Sequence, residues 1–169
     1  MPISSAAIGL TTPRRAELVD AQLCMTYAAA LGAAAAHFDD SRPGGLPVVP
    51  TLAHVLEWPV SRDLRRQPRF GASEAEQAKA IHVEQDTEFH RALRPGDHLV
   101  AQCTLVGLER RLAGTLTTMR IDLTDGAGRP VTTSYVRHLF RGVALDGADG
   151  SIAEPQPWPD LPSPEAWQE

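Results

Sequence analysis

The sequence predicts a single α+β domain, because its two halves carry different hydrophobic periods. An apolar stripe at three- and four-residue spacing occupies the first third, whereas from Val83 onward apolar residues recur every second position. Turns rich in glycine and proline separate the alternating runs. One long helix, a shorter apolar helix and a set of antiparallel strands define the class. With 169 residues, 43% of them apolar, the chain is long enough to bury one core.

Each element follows from local chemistry. Thr12-Pro13 predicts a helix start, since threonine caps free amides and proline is tolerated at the first helical position. Ala16, Val19, Leu23, Tyr27, Ala30 and Leu31 then form its buried stripe, and Gly32 is a stop. The prolines and paired glycines between Asp39 and Pro50 demand a loop. Thr51 to Glu57 reads as a short buried helix ended by Pro59, and Ser61 to Lys79 as a charged connection. Val83, Gln85, Thr87 and Phe89 mark a half-exposed strand, followed by a Pro95-Gly96 turn. Leu99, Ala101, Cys103 and Leu105 line a second strand, and Thr115, Thr117, Met119, Ile121 and Leu123 a third. A fourth, Val131 to Arg141, sets Val131, Thr133, Tyr135 and Leu139 on one face. The expected organisation is an extended or disordered segment over 1–12, the domain over 13–145, and a proline-rich tail over 146–169. Trp158 and Trp167 are candidate anchors for that tail.

Composition narrows the function. A net charge of -5 and a pI near 5.7 argue against nucleic acid or an anionic membrane as partner, because both reward clustered positive charge. The arginine pairs at 14–15, 65–66 and 110–111 are isolated and read as solvated surface pairs. No basic start leads into an apolar run, and the alanine-rich stretch after Tyr27 is too short to span a bilayer, so a cytoplasmic chain is expected. Cys24 and Cys103 lack redox or metal spacing and read as inert core thiols.

Three segments, in order, carry a family resemblance. They are Tyr27-Ala28-Ala29-Ala30-Leu31-Gly32-Ala33 with Leu46-Pro47-Val48-Val49-Pro50-Thr51-Leu52-Ala53; Ile81-His82-Val83-Glu84-Gln85 continuing through Glu88-Phe89-His90-Arg91-Ala92-Leu93-Arg94-Pro95-Gly96-Asp97; and the closing Leu139-Phe140-Arg141-Gly142. Over residues 13 to 145 the chain resembles the N-terminal, non-catalytic half of MaoC-like (R)-specific enoyl-CoA hydratases, and the related small dehydratase subunits. The resemblance implies a hot-dog fold, in which a curved antiparallel sheet wraps a central helix. It also implies pairing with a second hot dog, as heterodimer or homodimer, and an acyl-CoA or acyl-carrier-protein thioester lying between the two.

Hydration of an enoyl thioester requires a group that activates water, a proton donor for the α-carbon, and donors to the developing enolate. Catalytic halves of the family resemble one another in an Asp-x-Asn-Pro-x-His stretch that supplies the acid/base pair. Here the region reads Gly32-Ala33-Ala34-Ala35-Ala36-His37-Phe38-Asp39-Asp40. Aligned on the glycine, aspartate falls on Ala33 and histidine on Phe38; aligned on the acidic residues, His37 takes the histidine place and Gly32 the aspartate place. Neither alignment keeps both partners.

Candidate catalytic residues are therefore His37 with Asp39 and Asp40, which are near enough in sequence to orient an imidazole, and His54 within an apolar helix. The alternatives are a solvated loop histidine and a hydrogen-bonded core histidine. Candidate substrate-binding residues are Thr51 and Leu52, where a helix start presents amides either to an oxyanion or to Thr51 itself. His82 and Gln85 belong to the resembling stretch, and Arg91 and Arg94 would meet phosphates or remain solvated. His98 and His138 carry no local partner and receive no role. No metal-ligand spacing, glycine-rich phosphate loop or nucleophile elbow is present, and no cofactor is implied. Three functions fit: a dehydratase subunit whose Asp-His dyad comes from a partner chain, a stand-alone homodimer using His37 or His54 on a polyketide-like thioester, and a non-enzymatic acyl-binding module.

Overall fold

A computed structural model describes residues 2–39, 41 and 45–153. The chain runs β1 (Ile3–Ser4), β2 (Arg15–Val19), α1 (Ala21–Ala30), α2 (Leu52–Arg65), α3 (Glu74–Gln77), β3 (Ala80–Phe89), β4 (Asp97–Arg111), β5 (Gly114–Asp125), β6 (Pro130–Arg141), β7 (Leu145–Asp146) and β8 (Gly150–Ser151). The main sheet has the order β2-β4-β5-β6-β3, with β8 added against β4 and every pair antiparallel. The sheet surrounds α2, giving the α+β hot-dog fold.

Helix α2 is central because its buried residues form one stripe: Leu52, Ala53, Leu56, Glu57, Val60, Ser61 and Leu64. The sequence suggested a stop at Pro59, yet the helix runs through it to Arg65. Proline there removes only the N–H that would meet the carbonyl of Val55, on a residue that is 42% exposed. Water can take that carbonyl, so the helix persists. The longer helix expected from Pro13 is instead two elements. Arg15–Val19 joins the sheet beside β4, and Asp20 caps α1 by accepting the Leu23 amide at 2.6 Å.

The ends also differ from expectation. Ile3, Ala7, Leu10 and Thr12 are buried, and the Thr12 hydroxyl accepts the Cys103 amide at 3.0 Å, so the first twelve residues belong to the domain. Past 145, β7 pairs in parallel with β1 and β8 closes on β4, which moves the domain edge beyond the expected boundary. Backbone pairing supplies what an apolar pattern did not announce. The tail from 154, with Trp158 and Trp167, lies outside the described residues.

Strand phases agree for β4 and β5, where all the expected face residues are at most 1% exposed. On β6 the phase is the opposite one: Thr132, Ser134, Val136, His138 and Phe140 point inward and are buried, while Thr133, Tyr135 and Leu139 are half-buried on the other face. Leu64 sits at 0% exposure on the inner stripe of α2. Truncating it (Leu64→Ala) is expected to lower unfolding free energy by about 2–5 kcal/mol, read as a shifted denaturant midpoint at unchanged slope.

Candidate active site

The inward polar row of β6 meets α2 at one carboxyl. Glu57 is 1% exposed and lies on the same helix stripe as Leu56 and Val60. Its Oε1 accepts the Ser134 hydroxyl at 2.8 Å and the Thr132 hydroxyl at 3.1 Å, and its Oε2 accepts the Gln85 amide at 3.3 Å. One turn earlier on α2, His54 Nε2 lies 3.2 Å from Thr87 Oγ1, which is 2.9 Å from Ser134 Oγ. Six side chains from one helix and two neighbouring strands thus form a continuous hydrogen-bonded row. Ser134 is its junction, touching both Thr87 and Glu57.

Burial sets the electrostatics. Desolvation pushes the Glu57 carboxyl up from an ordinary 4.5 to about 7, against the Ser134 and Thr132 hydrogen bonds, which favour the ionised form; Asp122 adds a further rise. The His54 imidazole is lowered, first by its own burial and then by His82. His82 meets the ring of His138 edge-on, with centroids 5.4 Å apart. His138 is driven down to about 4 by burial, with Arg65 and His82 contributing, and its Nδ1 is buried without a hydrogen-bond partner among the described residues. Burial likewise raises the thiols of Cys24 and Cys103, which suppresses their nucleophilic form.

Of the residues singled out in the sequence, only His54 and Gln85 enter this row. His37 lies on the turn Ala35–Phe38, and its Nδ1 donates to the Pro47 carbonyl at 2.9 Å, while Asp39 accepts the Ser41 amide and hydroxyl. Asp40 lies outside the described residues. The start of α2 offers neither free amides nor a threonine cap: the amides of Leu52, Ala53 and His54 donate to the carbonyls of Val49, Pro50 and Thr51 at 3.0, 3.1 and 3.1 Å. Thr51 instead receives the Tyr27 hydroxyl, tying α1 to α2. Arg91 is forked onto Asp97 at 2.7 and 3.1 Å, so its guanidinium is already paired, and Arg94 is exposed. A hollow of about 310 Å³ at the β4–β5 turn, lined in part by Arg110, Leu112 and Leu145, shares no residue with the row.

Glu57, Thr87, Thr132 and Ser134 were missed by sequence reasoning. The signal was present: a carboxylate three positions after a histidine inside an apolar helix, and a strand with hydroxyls on alternate positions.

Comparison with known proteins matches residues 6–134 to the model of the FAS1-like, dehydratase domain region. A UPF0336 protein of Saccharopolyspora erythraea is 26% identical over 109 residues, which is 63% of this chain and 68% of that protein. Among solved structures, the C-terminally truncated HadBC complex of Mycobacterium tuberculosis, a (3R)-hydroxyacyl-ACP dehydratase, aligns with a TM-score of 0.66 at 20% identity, covering 79% of this chain and 96% of that one. A MaoC-like dehydratase of Phytophthora capsici aligns at 0.71 and 18% identity, over 92% of this chain and 55% of that one.

The Glu57 carboxyl makes stability depend on pH. Because its folded value is raised, the unfolded chain ionises first; the stabilisation is complete below about pH 4.5 and is lost as pH rises through about 7. The loss is expected to reach about 3 kcal/mol at most. Denaturant titrations from pH 4 to 8 check this, with Glu57→Gln expected to lack that fall.

Proposed function

This chain belongs to the family of FAS1-like dehydratase domain regions, and we propose on that footing that it is the acyl-binding subunit of a hydratase or dehydratase. A partner hot dog would supply the Asp-His dyad. One observation carries the reading: the loop that holds the dyad in catalytic relatives presents Ala33 and Phe38, or Gly32 and His37, and His37 is already engaged with the Pro47 carbonyl. A methyl group transfers no proton, and losing one acid/base partner costs on the order of 10²–10⁴ in rate.

The free edge of the sheet supports a partner. Strand β3 stands at one end of the sheet order, paired among the described residues with β6 alone, and it exposes Ile81, Val83 and Phe89 at 45%, 53% and 41%. Val55 and Trp58 on α2 add exposed apolar surface, 42% and 55%. A long edge strand with apolar residues is a site for pairing with another sheet. The substrate would be an acyl thioester, either of CoA or of a carrier protein, received between the two hot dogs.

A second reading, a stand-alone homodimer using its own base, is favoured for His54 over His37 by the buried hydroxyl and carboxyl row behind it.

Mixing the chain with a hot-dog protein that carries an intact Asp-x-Asn-Pro-x-His stretch tests the first reading. Dehydration of (3R)-hydroxyacyl-CoA should appear in the mixture at a rate about 10²-fold or more above either protein alone. Full activity from the pure chain would refute it. Crotonyl-CoA at about 100 times its Kd should stabilise the folded chain by about 2.7 kcal/mol in thermal-shift titrations.

A further inference from the structure

The hydrogen bonds between His54 and Glu57 have a direction. Ser134 has one hydroxyl proton, and it points to Glu57 Oε1. Ser134 Oγ must then accept from Thr87, whose own proton is used in that bond, and Thr87 Oγ1 must accept the Nε2 proton of His54. That assignment fixes the neutral His54 tautomer and leaves Nδ1 as its acceptor. Nδ1 is not among the buried atoms lacking a partner, and no bond to it is formed among the described residues, so it opens outward. Every donor in the row aims inward at the carboxyl.

We propose that His54 is an acid/base group of this chain and that Thr87 and Ser134 pass its proton to a store on Glu57. A proton taken up at Nδ1 releases the Nε2 proton to Thr87 Oγ1; the Thr87 proton moves to Ser134 Oγ, and the Ser134 proton to Glu57 Oε1. Each oxygen on the way ends with one proton, His54 ends neutral, and the carboxylate becomes a carboxylic acid. Glu57 and the two hydroxyls are positioning residues, since Glu57 and Ser134 are buried and the protons of both hydroxyls are committed within the row. The groups that bear on the pair from the packed elements are His82 on β3, Cys103 on β4 and Asp122 on β5, with Gln85 bonded to the carboxyl and His138 lying against His82. The proton source would be a substrate or water at the α2–β3 edge, and its identity as part of an acyl thioester rests on the function proposed above.

The relay is tested in the full chain by following the His54 ring proton resonances against pH in the wild type and three variants. In the wild type His54 should report two steps separated by about one pH unit or more, the mark of coupled sites. Glu57→Gln should leave one step. Thr87→Val, which deletes the middle hydroxyl, should also leave one, and Thr87→Ser should restore both. Two steps surviving in Thr87→Val would show that the coupling acts through space and would overturn the relay, as would a single unchanged step in all four proteins. If Thr87→Val does not fold, Ser134→Ala takes its place, since it deletes the other hydroxyl between His54 and Glu57: one step supports the relay and two overturn it. Crotonyl-CoA is then added at neutral pH. Failure to bind, with the titration pattern intact, counts against the acyl-binding reading alone, whereas binding that leaves the His54 resonances unmoved removes His54 from the thioester site.

Discussion

The burial of one carboxyl shapes this molecule. Glu57 stands in the apolar stripe of the central helix, where an unpaired charge would be prohibitive. It is tolerated because three side chains from β3 and β6 converge on its two oxygens. Their convergence in turn fixes how α2 lies across the sheet and which face of β6 turns inward. A half-satisfied polar cluster in this place would be worse than none, so the row specifies one packing as well as supporting it.

Much of the fold was legible in the sequence. The alternation through Leu99–Leu105 and Thr115–Leu123 gave the correct inner faces, because there the inward residues are themselves apolar or small enough to bury. On β6 hydrophobicity pointed the wrong way. Thr132, Ser134 and His138 are polar and yet face the core, since their partners come from α2 and β3, far away in sequence. Period is a property of the strand; phase depends on what lies across from it. The helix boundaries failed for related reasons: Pro59 looked like a stop but the carbonyl it leaves unbonded belongs to an exposed residue, Val55, and Arg15–Val19 was drawn into the sheet by pairing with Asp97–Ala101.

The candidate site was half legible. His54 and Gln85 stood out by residue type and by the stretch they occupy, whereas Glu57 counted only as the end of an apolar helix. His37 drew notice through its acidic neighbours, but the carbonyl of Pro47, ten positions on, is what holds it. Arg91 likewise read as either a phosphate ligand or a solvated cation until Asp97 took its fork. In each case chemistry could be named from the residue, and the partner could not, because the partner is chosen by the fold.

The parallel pairing of Ile3 with Leu145 has a kinetic meaning. Ile3 is completely buried, so its pocket stays open until nearly the whole domain has left the ribosome. Closing so long a loop is an entropic toll that local contacts cannot share, and it falls late in assembly. Until β7 forms, Ile3 lacks the strand partner that pairs with it, so this greasy side chain is covered among the last.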